Sequence, residues 1–495
     1  MEYLIGIDVG TSGVKALAVD RQGRILAARS KSYPLSAPKP GWAEQDPELW
    51  WRASCAVLKG LCSDKALKKG RAAGVGISGQ MHSSVFLDAH GAVIRPALLW
   101  CDGRTTAECA QITAKIGEKN LKNWVSNPAL EGFTLPKILW LKNHEPAAFR
   151  RLAKVLMPKD FLRLRLSDSL ATDYSDASGT LMLDVKRRRW SADVMKACGL
   201  GLSLLPELGE SSAVLGRVSR EASRLCGLPE GTPIVGGGAD NACGAVGVGA
   251  VAPGSVVASW GTSGTVLAPT SAPKVDPKMR AHTFCSAVPG QWYVMGVMLC
   301  AGGAFAWYRD QLAGSEDPLS LNREAEAIAP GAAGLTFLPY LQGERTPHRD
   351  AKARGVLAGM TLSHSRAHVT RAVLEGICFG LRDSVEILRG LDLPLKKILL
   401  TGGGAKSPML RAMQADIFGV GVSTVDKEEG PAFGAALLAG VGVGAYKTVS
   451  EACAATLRIS KPLRPDAKKH QAYAGPYYRY RSLYPALQPF FKDQA

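Results

Sequence analysis

YLIGIDVGTSGVKALAVD, residues 3–20, places two apolar runs on either side of a glycine-containing turn. The alternation predicts a strand at Tyr3–Val9, a tight turn at Gly10–Gly13 and a second strand at Val14–Val19. A hairpin turn at Asp20–Gly23 and a third strand at Arg24–Ser30 follow. Helical and extended patterns then mix along the chain, which indicates an α/β fold.

The Gly-Thr-Ser-Gly turn occurs a second time, at Gly261–Gly264, half a chain length after the first. It again lies between two predicted strands, Ser255–Trp260 and Thr265–Ala268. Internal duplication predicts two domains of like topology, residues 1–248 and 249–495, each contributing one glycine turn to a shared cleft. We expect the junction near Val248–Pro253.

A third glycine run, residues 402–405, follows the apolar strand Ile398–Leu400 and precedes a helical pattern. Glycines let the backbone N–H groups approach an anion closely, and a helix N-terminus favours negative charge. No Walker A motif occurs, and the first turn alone could be an ordinary hairpin. Together the three turns predict ATP binding by Gly10, Thr11, Ser12, Gly261, Thr262, Ser263, Gly402, Gly403, Gly404 and Ala405.

Two aspartates stand where strands end. Asp8 closes the first strand and could hold Mg²⁺ through water, since this cation prefers oxygen ligands, or could satisfy turn amides instead. Asp240 follows the strand Pro233–Val235 and a glycine run, at a predicted strand-to-helix junction. A carboxylate there could accept the proton of a sugar hydroxyl, act as a helix N-cap, or do both.

Gln80, Met81 and His82 follow the predicted strand Ala73–Ser78. A sugar site requires hydrogen-bonding groups beside an apolar wall, so we expect Gln80 and His82 to donate and Met81 to pack. A lone histidine is more often structural. Trp42 and Trp100 are candidate stacking faces for the sugar, although buried aromatic side chains more often belong to the core.

Composition narrows the class of protein. The net charge of +17 comes from scattered lysines and arginines, without the aromatic-basic pattern of a nucleic-acid binder. The eleven cysteines contain no C-x-x-C pair and are expected to be reduced. The chain shows neither a signal peptide nor an apolar run typical of a membrane span. We therefore expect a cytoplasmic protein with no nucleic-acid or membrane partner.

Two longer segments are those of a known family. One segment is GFTLPKILWL, at residues 132–141. The other is GVLAGM at residues 355–360, followed by AVLE at residues 372–375. These segments resemble both signatures of the FGGY carbohydrate kinases, and the similarity extends along the chain. The resemblance implies an α/β fold in which two actin-like (ribonuclease-H-like) ATPase domains flank a catalytic cleft. It also implies transfer of a phosphoryl group from ATP, with Mg²⁺, to a small sugar.

The resemblance further implies a role for individual residues. Asp240 would be the catalytic base and, with Asp8, would organise Mg²⁺. Met81 and His82 would touch the sugar, and Asn241 would lie beside it, while the glycine turns hold ATP.

Segments such as Gly79–His82 and Ser175–Thr180 resemble those of family members that act on D-xylulose. Two alternatives to a kinase of D-xylulose stay open. One is a kinase of the same family that acts on ribulose, gluconate or another polyol. The other is an ATPase of the same fold that needs no sugar. The segment around Glu344 and Arg345 could brace the hinge or a dimer contact, and a homodimer is left open.

Overall fold

The computed structural model describes residues 2–427 and 429–493. The strands are β1 (Glu2–Val9), β2 (Gly13–Val19), β3 (Ile25–Ser32), β4 (Glu44–Gln45), β5 (Arg71–Gly79), β6 (Val85–Leu87), β7 (Ala97–Leu98), β8 (Lys154–Leu156), β9 (Ala171–Asp173), β10 (Leu183–Asp184), β11 (Arg189–Trp190), β12 (Glu207–Gly209), β13 (Val214–Arg217), β14 (Pro233–Val235), β15 (Gly238–Ala239), β16 (Gly254–Trp260), β17 (Gly264–Thr270), β18 (His282–Cys285), β19 (Trp292–Met298), β20 (Thr336–Leu338), β21 (Val356–Ala358), β22 (Leu395–Gly402) and β23 (Val422–Ser423).

The helices are α1 (Pro47–Cys62), α2 (Thr106–Ile116), α3 (Glu118–Trp124), α4 (Thr134–His144), α5 (Pro146–Arg151), α6 (Pro158–Ser167), α7 (Tyr174–Ser178), α8 (Ala192–Ala197), α9 (Arg220–Cys226), α10 (Asp240–Gly247), α11 (Gly302–Gln311), α12 (Pro318–Glu326), α13 (Arg366–Gly390), α14 (Gly403–Lys406), α15 (Pro408–Phe418), α16 (Gly430–Gly442), α17 (Val449–Thr456), α18 (Ala467–Ala472) and α19 (Ala474–Lys492). Within the described ranges, none is both long and apolar enough to cross a membrane.

The first large sheet has the strand order β13-β14-β5-β1-β2-β3, with β15 also paired to β5. β1, β2 and β3 form an antiparallel meander, and β5 runs parallel to β1. The turn at Gly10–Gly13 joins β1 to β2, as predicted. Parallel pairing of β1, β5 and β15 brings Asp8, Ser78 and Gly238 level with one another at the same end of the sheet.

The second large sheet repeats this arrangement, with the order β18-β19-β17-β16-β22-β23. β16 and β17 are an antiparallel pair joined by the second glycine turn, and β22 runs parallel to β16 as β5 does to β1. The predicted α/β fold with two domains of like topology is thereby confirmed.

Helix α16 belongs to the second half of the sequence but packs on the first sheet, against β1 and β5, and beside α10. Glycines permit the close approach: a Cβ at Gly76 would lie 1.9 Å from the carbonyl oxygen of Ala435, and one at Gly434 would lie 1.9 Å from that of Cys243. The apolar residues of α16 are buried there with those of the first sheet. The two halves of the chain therefore share a core.

Candidate active site

Three adjoining cavities extend between the two sheets. The reaction cavity, about 200 Å³, is lined by Met81, His82, Trp100, Asp240, Asn241, Ser259, Gly261, Ser263, Thr265, Met295, Val297 and Arg345. The glycine-run cavity, about 610 Å³, is lined by Val248, Leu400, Thr401, Gly402, Gly403, Ala405, Lys406, Arg411, Thr424, Val425, Lys427 and Gly430. A connecting cavity of about 190 Å³ shares Asp240 and Asn241 with the first and Thr401 and Gly430 with the second. Asp240 thus stands where the reaction cavity meets the connecting cavity.

Asp240 is the first residue of α10, and the helix is capped by Ala239 with no side-chain capping bond, so the N-cap alternative is not realised. Its Oδ1 accepts hydrogen bonds from the backbone nitrogen of Asn241 at 2.6 Å and from the Asn241 side-chain amide at 2.9 Å. These contacts leave Oδ2 available to the cavity. The local geometry therefore fits a proton acceptor better than a cap.

Asp8 and Asp240 are both half-buried and influence each other electrostatically. Burial raises the pKa of Asp8 to about 6. Burial, and then the charge of Asp8, raise the pKa of Asp240 to about 7. Within the described part of the chain, Oδ1 of Asp8 has no hydrogen-bond partner. Two carboxylates with spare oxygen atoms are a donor set that fits Mg²⁺, which is commonly held by one or two carboxylates together with substrate phosphates.

No group of three or more histidine, cysteine, aspartate or glutamate side chains that could hold a metal ion occurs in residues 2–427 and 429–493. The fit to Mg²⁺ therefore depends on the aspartate pair together with oxygen atoms supplied by a nucleotide.

A fully buried ionic cluster lies behind the loop that precedes Asp240. Its members are Lys159, Asp160, Arg163, Asp173 and Asp176. Lys159 Nζ lies 2.5 Å from Asp160 Oδ1 and 2.9 Å from Asp173 Oδ1. Burying charges is unfavourable unless each finds partners, so the opposite charges of this cluster favour positions close to one another.

The cluster holds the loop at two points. Arg163 donates a hydrogen bond to the carbonyl oxygen of Gly236. Ser175 Oγ accepts the N–H of Ala239 at 3.1 Å and donates to Asp173. The backbone is therefore fixed both before and after Gly237, whose φ of 65° lies in the left-handed region. This arrangement sets the position from which Asp240 enters the cavity.

The structure corrects the prediction that His82 donates a hydrogen bond to the sugar. Its Nδ1 lies 2.5 Å from the carbonyl oxygen of Gly179, which can only accept, so the proton is on Nδ1. Burial lowers the pKa of His82 to about 3, and the ring is neutral. Nε2 is therefore an acceptor, and His82 can receive a hydrogen bond from a sugar hydroxyl but cannot donate one, contrary to the prediction. Its φ of 68° is uncommon for a non-glycine residue and is typical of functional sites.

Comparison with known proteins gives a consistent result. The profile of the FGGY family of carbohydrate kinases, N-terminal domain, matches residues 3–247, and that of the C-terminal domain matches residues 256–443. The chain belongs to the FGGY family of carbohydrate kinases. It is therefore a carbohydrate kinase, with a sugar and ATP as its substrates.

The relatives of this FGGY kinase are similar over nearly their whole length. The chain is 41% identical to the xylulose kinase of Bacillus subtilis (strain 168), with 98% of this chain and 97% of the relative covered. It is 40% identical to the xylulose kinase of Escherichia coli (strain K12), with 98% and 99% covered. The crystal structure of a xyloylose kinase from Brucella ovis superposes with a TM-score of 0.92 at 36% identity, covering 99% of this chain and 100% of that one.

Within this FGGY kinase, the predicted sugar and phosphate residues fall into two groups. Met81, His82, Asp240, Asn241, Gly261 and Ser263 line the reaction cavity, and Gly402, Gly403 and Ala405 line the glycine-run cavity. The backbone oxygen of Thr262 accepts the N–H groups of Ala301 and Gly303, so Thr262 supports the start of α11. Gly404 packs on the ring of Trp260, where a Cβ would come within 2.6 Å.

Gln80 lies beneath the first glycine turn and not at the described wall of the reaction cavity. Its amide accepts from the Thr11 hydroxyl at 3.1 Å and donates to the carbonyl oxygen of Gly10 at 3.4 Å. Trp100 Nε1 donates to Thr11 Oγ1 at 2.9 Å, and Trp100 lines the cavity, so the turn, including Ser12, adjoins it. Gln80 is placed to support the turn.

Trp42 is also absent from the described lining of the reaction cavity. The Arg104 guanidinium lies 3.5 Å from the centre of its ring, and Trp140 meets it edge-on. The indole is occupied by these two contacts, so the structure does not bring Trp42 together with the other predicted sugar residues.

Sequence reasoning missed two features of the site. The roles of Ser175 and Lys159 were not predicted, although Ser175 begins the segment Ser175–Thr180 that was noted for its resemblance. Arg345 was considered only as a brace, yet it lines the reaction cavity from the C-terminal domain. No local pattern marks these residues, because their partners lie far away in the sequence.

Proposed function

We propose that this FGGY kinase transfers the terminal phosphoryl group of ATP to D-xylulose and releases D-xylulose 5-phosphate and ADP. The observation that supports it most directly is the position of Asp240, which lines both the reaction cavity and the space leading to the glycine-run cavity. A carboxylate at that point lies between a sugar on one side and nucleotide phosphates on the other. The choice of D-xylulose rests on the full-length similarity to two xylulose kinases.

In the proposed reaction, Asp240 accepts the proton of the terminal sugar hydroxyl as that oxygen bonds to the γ-phosphorus. The bond from the γ-phosphorus to the bridging oxygen breaks, and ADP leaves with the electron pair. A proton acceptor works best when its pKa lies near the working pH, and burial raises the pKa of Asp240 to about 7. Asn241 holds Oδ1, so we assign the proton to Oδ2.

Nucleotide binding is assigned to the three glycine turns. Gly402, Gly403 and Ala405 form one wall of the glycine-run cavity, which we assign to the nucleoside. Gly261 and Ser263 from one domain, and Gly10, Thr11 and Ser12 from the other, would direct N–H and hydroxyl groups at the phosphates. Asp8 and Asp240 would hold Mg²⁺, which when bound neutralises phosphate charge as it shifts to the leaving group.

We further propose that the enzyme works in the cytoplasm, as a homodimer, with its domains divided near residue 248. All eleven cysteines are free, which suits a reducing compartment. Light scattering of the purified protein tests the assembly, because a dimer has twice the mass of the 52.4 kDa chain.

The substrate is tested by a panel of sugars at one fixed ATP concentration, with ADP release as the readout. We expect the highest kcat/KM for D-xylulose, with D-ribulose, L-ribulose, gluconate and glycerol well below it. A higher value for any other sugar would overturn the choice of substrate. ATP turnover at the same rate without sugar would overturn sugar kinase activity for this chain.

A further inference from the structure

Arg345 introduces an unpaired positive charge into the reaction cavity. Within the described ranges, its guanidinium makes no hydrogen bond and no ion pair, whereas the buried guanidinium of Arg104 is paired with Glu44 and Asp102. The guanidinium reaches across to the N-terminal domain, where its Nη2 would lie 3.2 Å from a Cβ at Gly132. A largely enclosed guanidinium without partners retains its full capacity to donate hydrogen bonds.

The backbone that presents this side chain is firmly fixed. The N–H of Arg345 donates to Glu344 Oε1 at 2.7 Å, and the same oxygen accepts the N–H of Leu299 at 3.0 Å. The hydroxyl of Thr346 accepts the N–H of Val297 at 3.0 Å. Glu344 and Thr346 therefore brace the segment against β19 and its end. The bracing role belongs to these neighbours, and the Arg345 side chain takes no part in it.

Arg345 and Asp240 line different sides of the reaction cavity. Asp240 also lines the connecting cavity, whose described lining does not include Arg345. Arg345 instead reaches Gly132, next to Phe133, whose ring meets that of His82 edge-on. An acyclic sugar whose terminal hydroxyl meets Asp240 thus has its other end directed towards the guanidinium. In a ketose, that end has a carbonyl oxygen on C2 and a hydroxyl on C1.

We infer that Arg345 is a specificity-determining residue that donates hydrogen bonds to O1 and O2 at the non-reacting end of the ketose. The planar guanidinium presents parallel donors, which match two neighbouring oxygen atoms as a lysine ammonium cannot. This inference rests on the proposed function, because it takes the sugar to be a ketose that reacts at its far end.

The test compares D-xylulose with 1-deoxy-D-xylulose, which lacks O1, in the wild type and in Arg345→Met and Arg345→Lys. A hydrogen bond to a charged group is worth about 10- to 100-fold in affinity. We expect the wild type to prefer D-xylulose by about that factor in kcat/KM. Arg345→Met should lose the preference, while the KM for ATP changes less than about twofold.

Arg349→Met is the matched control, since Arg349 is an exposed arginine of the same segment and pairs, among the described residues, only with Glu118, at 3.5 Å. It should keep the wild-type preference. Where Arg345→Met fails to fold, as shown by its melting curve, Arg345→Lys decides the matter, because it keeps the charge but loses the paired donors. A variant that folds and retains the wild-type ratio overturns the inference. A wild type that does not phosphorylate D-xylulose overturns the proposed function instead.

Discussion

The hydroxyl oxygen of Ser175 lies 3.1 Å from the backbone nitrogen of Ala239, the residue that precedes Asp240. The same hydroxyl donates to Asp173, whose other carboxylate oxygen lies 2.9 Å from Lys159 Nζ. The buried ionic cluster is thereby connected, through one serine, to the backbone of the proposed base. A stable arrangement of fixed charges is one way to hold a reacting group within the narrow tolerance that catalysis requires.

Replacing Ser175 with alanine should therefore lower kcat more than it lowers substrate binding. The change leaves the Ala239 N–H without its acceptor, which costs about 1–3 kcal/mol of stability for a buried donor. Displacement of Asp240 should reduce kcat about 10- to 100-fold, with the KM for ATP unchanged. Ser54→Ala is the control, since Ser54 is buried without a hydrogen-bond partner among the described residues. Equal kcat values in the two variants would show that Ser175 does not position the base.

Asp240→Asn should abolish most phosphoryl transfer without unfolding the protein. Asparagine has nearly the same size and can accept the bonds from Asn241, but it cannot take up a proton at neutral pH. General-base catalysis typically contributes about 10²- to 10⁴-fold, so kcat for D-xylulose should fall by at least that range. Sugar-dependent ADP release measures the effect, with the melting temperature as the check on folding. Turnover within about threefold of the wild type would exclude Asp240 as the base.

The same variant should be more stable than the wild type at alkaline pH. The pKa of Asp240 is raised from 3.8 to about 7, so the folded protein binds this proton more tightly than the unfolded chain does. The free energy of unfolding thus decreases as pH rises from about 4 to about 7. The decrease is on the order of 4 kcal/mol at most, at 1.36 kcal/mol per pKa unit.

Thermal unfolding of Asp240→Asn and the wild type, in EDTA and without nucleotide, measures the difference. Asparagine does not ionise, so its melting temperature should exceed that of the wild type at pH 8. The gap should close below about pH 3, where Asp240 is protonated in most folded and unfolded molecules. Identical melting temperatures at pH 8 would contradict the raised pKa.

We expect His82→Ala and Gln80→Ala to raise the KM for different substrates. Loss of the His82 Nε2 acceptor should raise the KM for D-xylulose about 2- to 10-fold, corresponding to one neutral hydrogen bond of about 0.5–1.5 kcal/mol. Loss of the Gln80 amide loosens the turn formed by Gly10 and Thr11, so the KM for ATP should rise instead. Initial rates over a grid of both substrates separate the effects. A rise in the KM for the sugar alone in Gln80→Ala would return that residue to the sugar site.

The sequence predicted the parts of the site that local pattern controls. The two glycine turns were predictable because each lies between apolar strands and because the motif is duplicated at half the chain length. The position of Asp240 at a strand-to-helix junction followed from the glycine run before it. These features depend on residues within about ten positions of one another, where hydrophobic alternation and glycine placement are informative.

The rest depends on contacts between distant residues. The hydrogen-bonding role of His82 is set by the carbonyl oxygen of Gly179, 97 residues away, which fixes the tautomer. Arg345 reaches the cavity because its segment is bound to β19, and nothing around residue 345 indicates that partner. The apolar sequence of α16 predicts burial but does not tell which sheet it covers.

The packing of α16 on the first sheet determines when that sheet can complete its core. β1 is among the first segments to leave the ribosome, but the helix that covers it, at residues 430–442, is among the last. During synthesis, the glycine-lined face of β1 and β5 stays without its native cover until nearly the whole polypeptide has emerged. We therefore expect the nascent chain to expose this apolar surface until α16 emerges, and a fragment ending near residue 248 lacks the segment that would bury it.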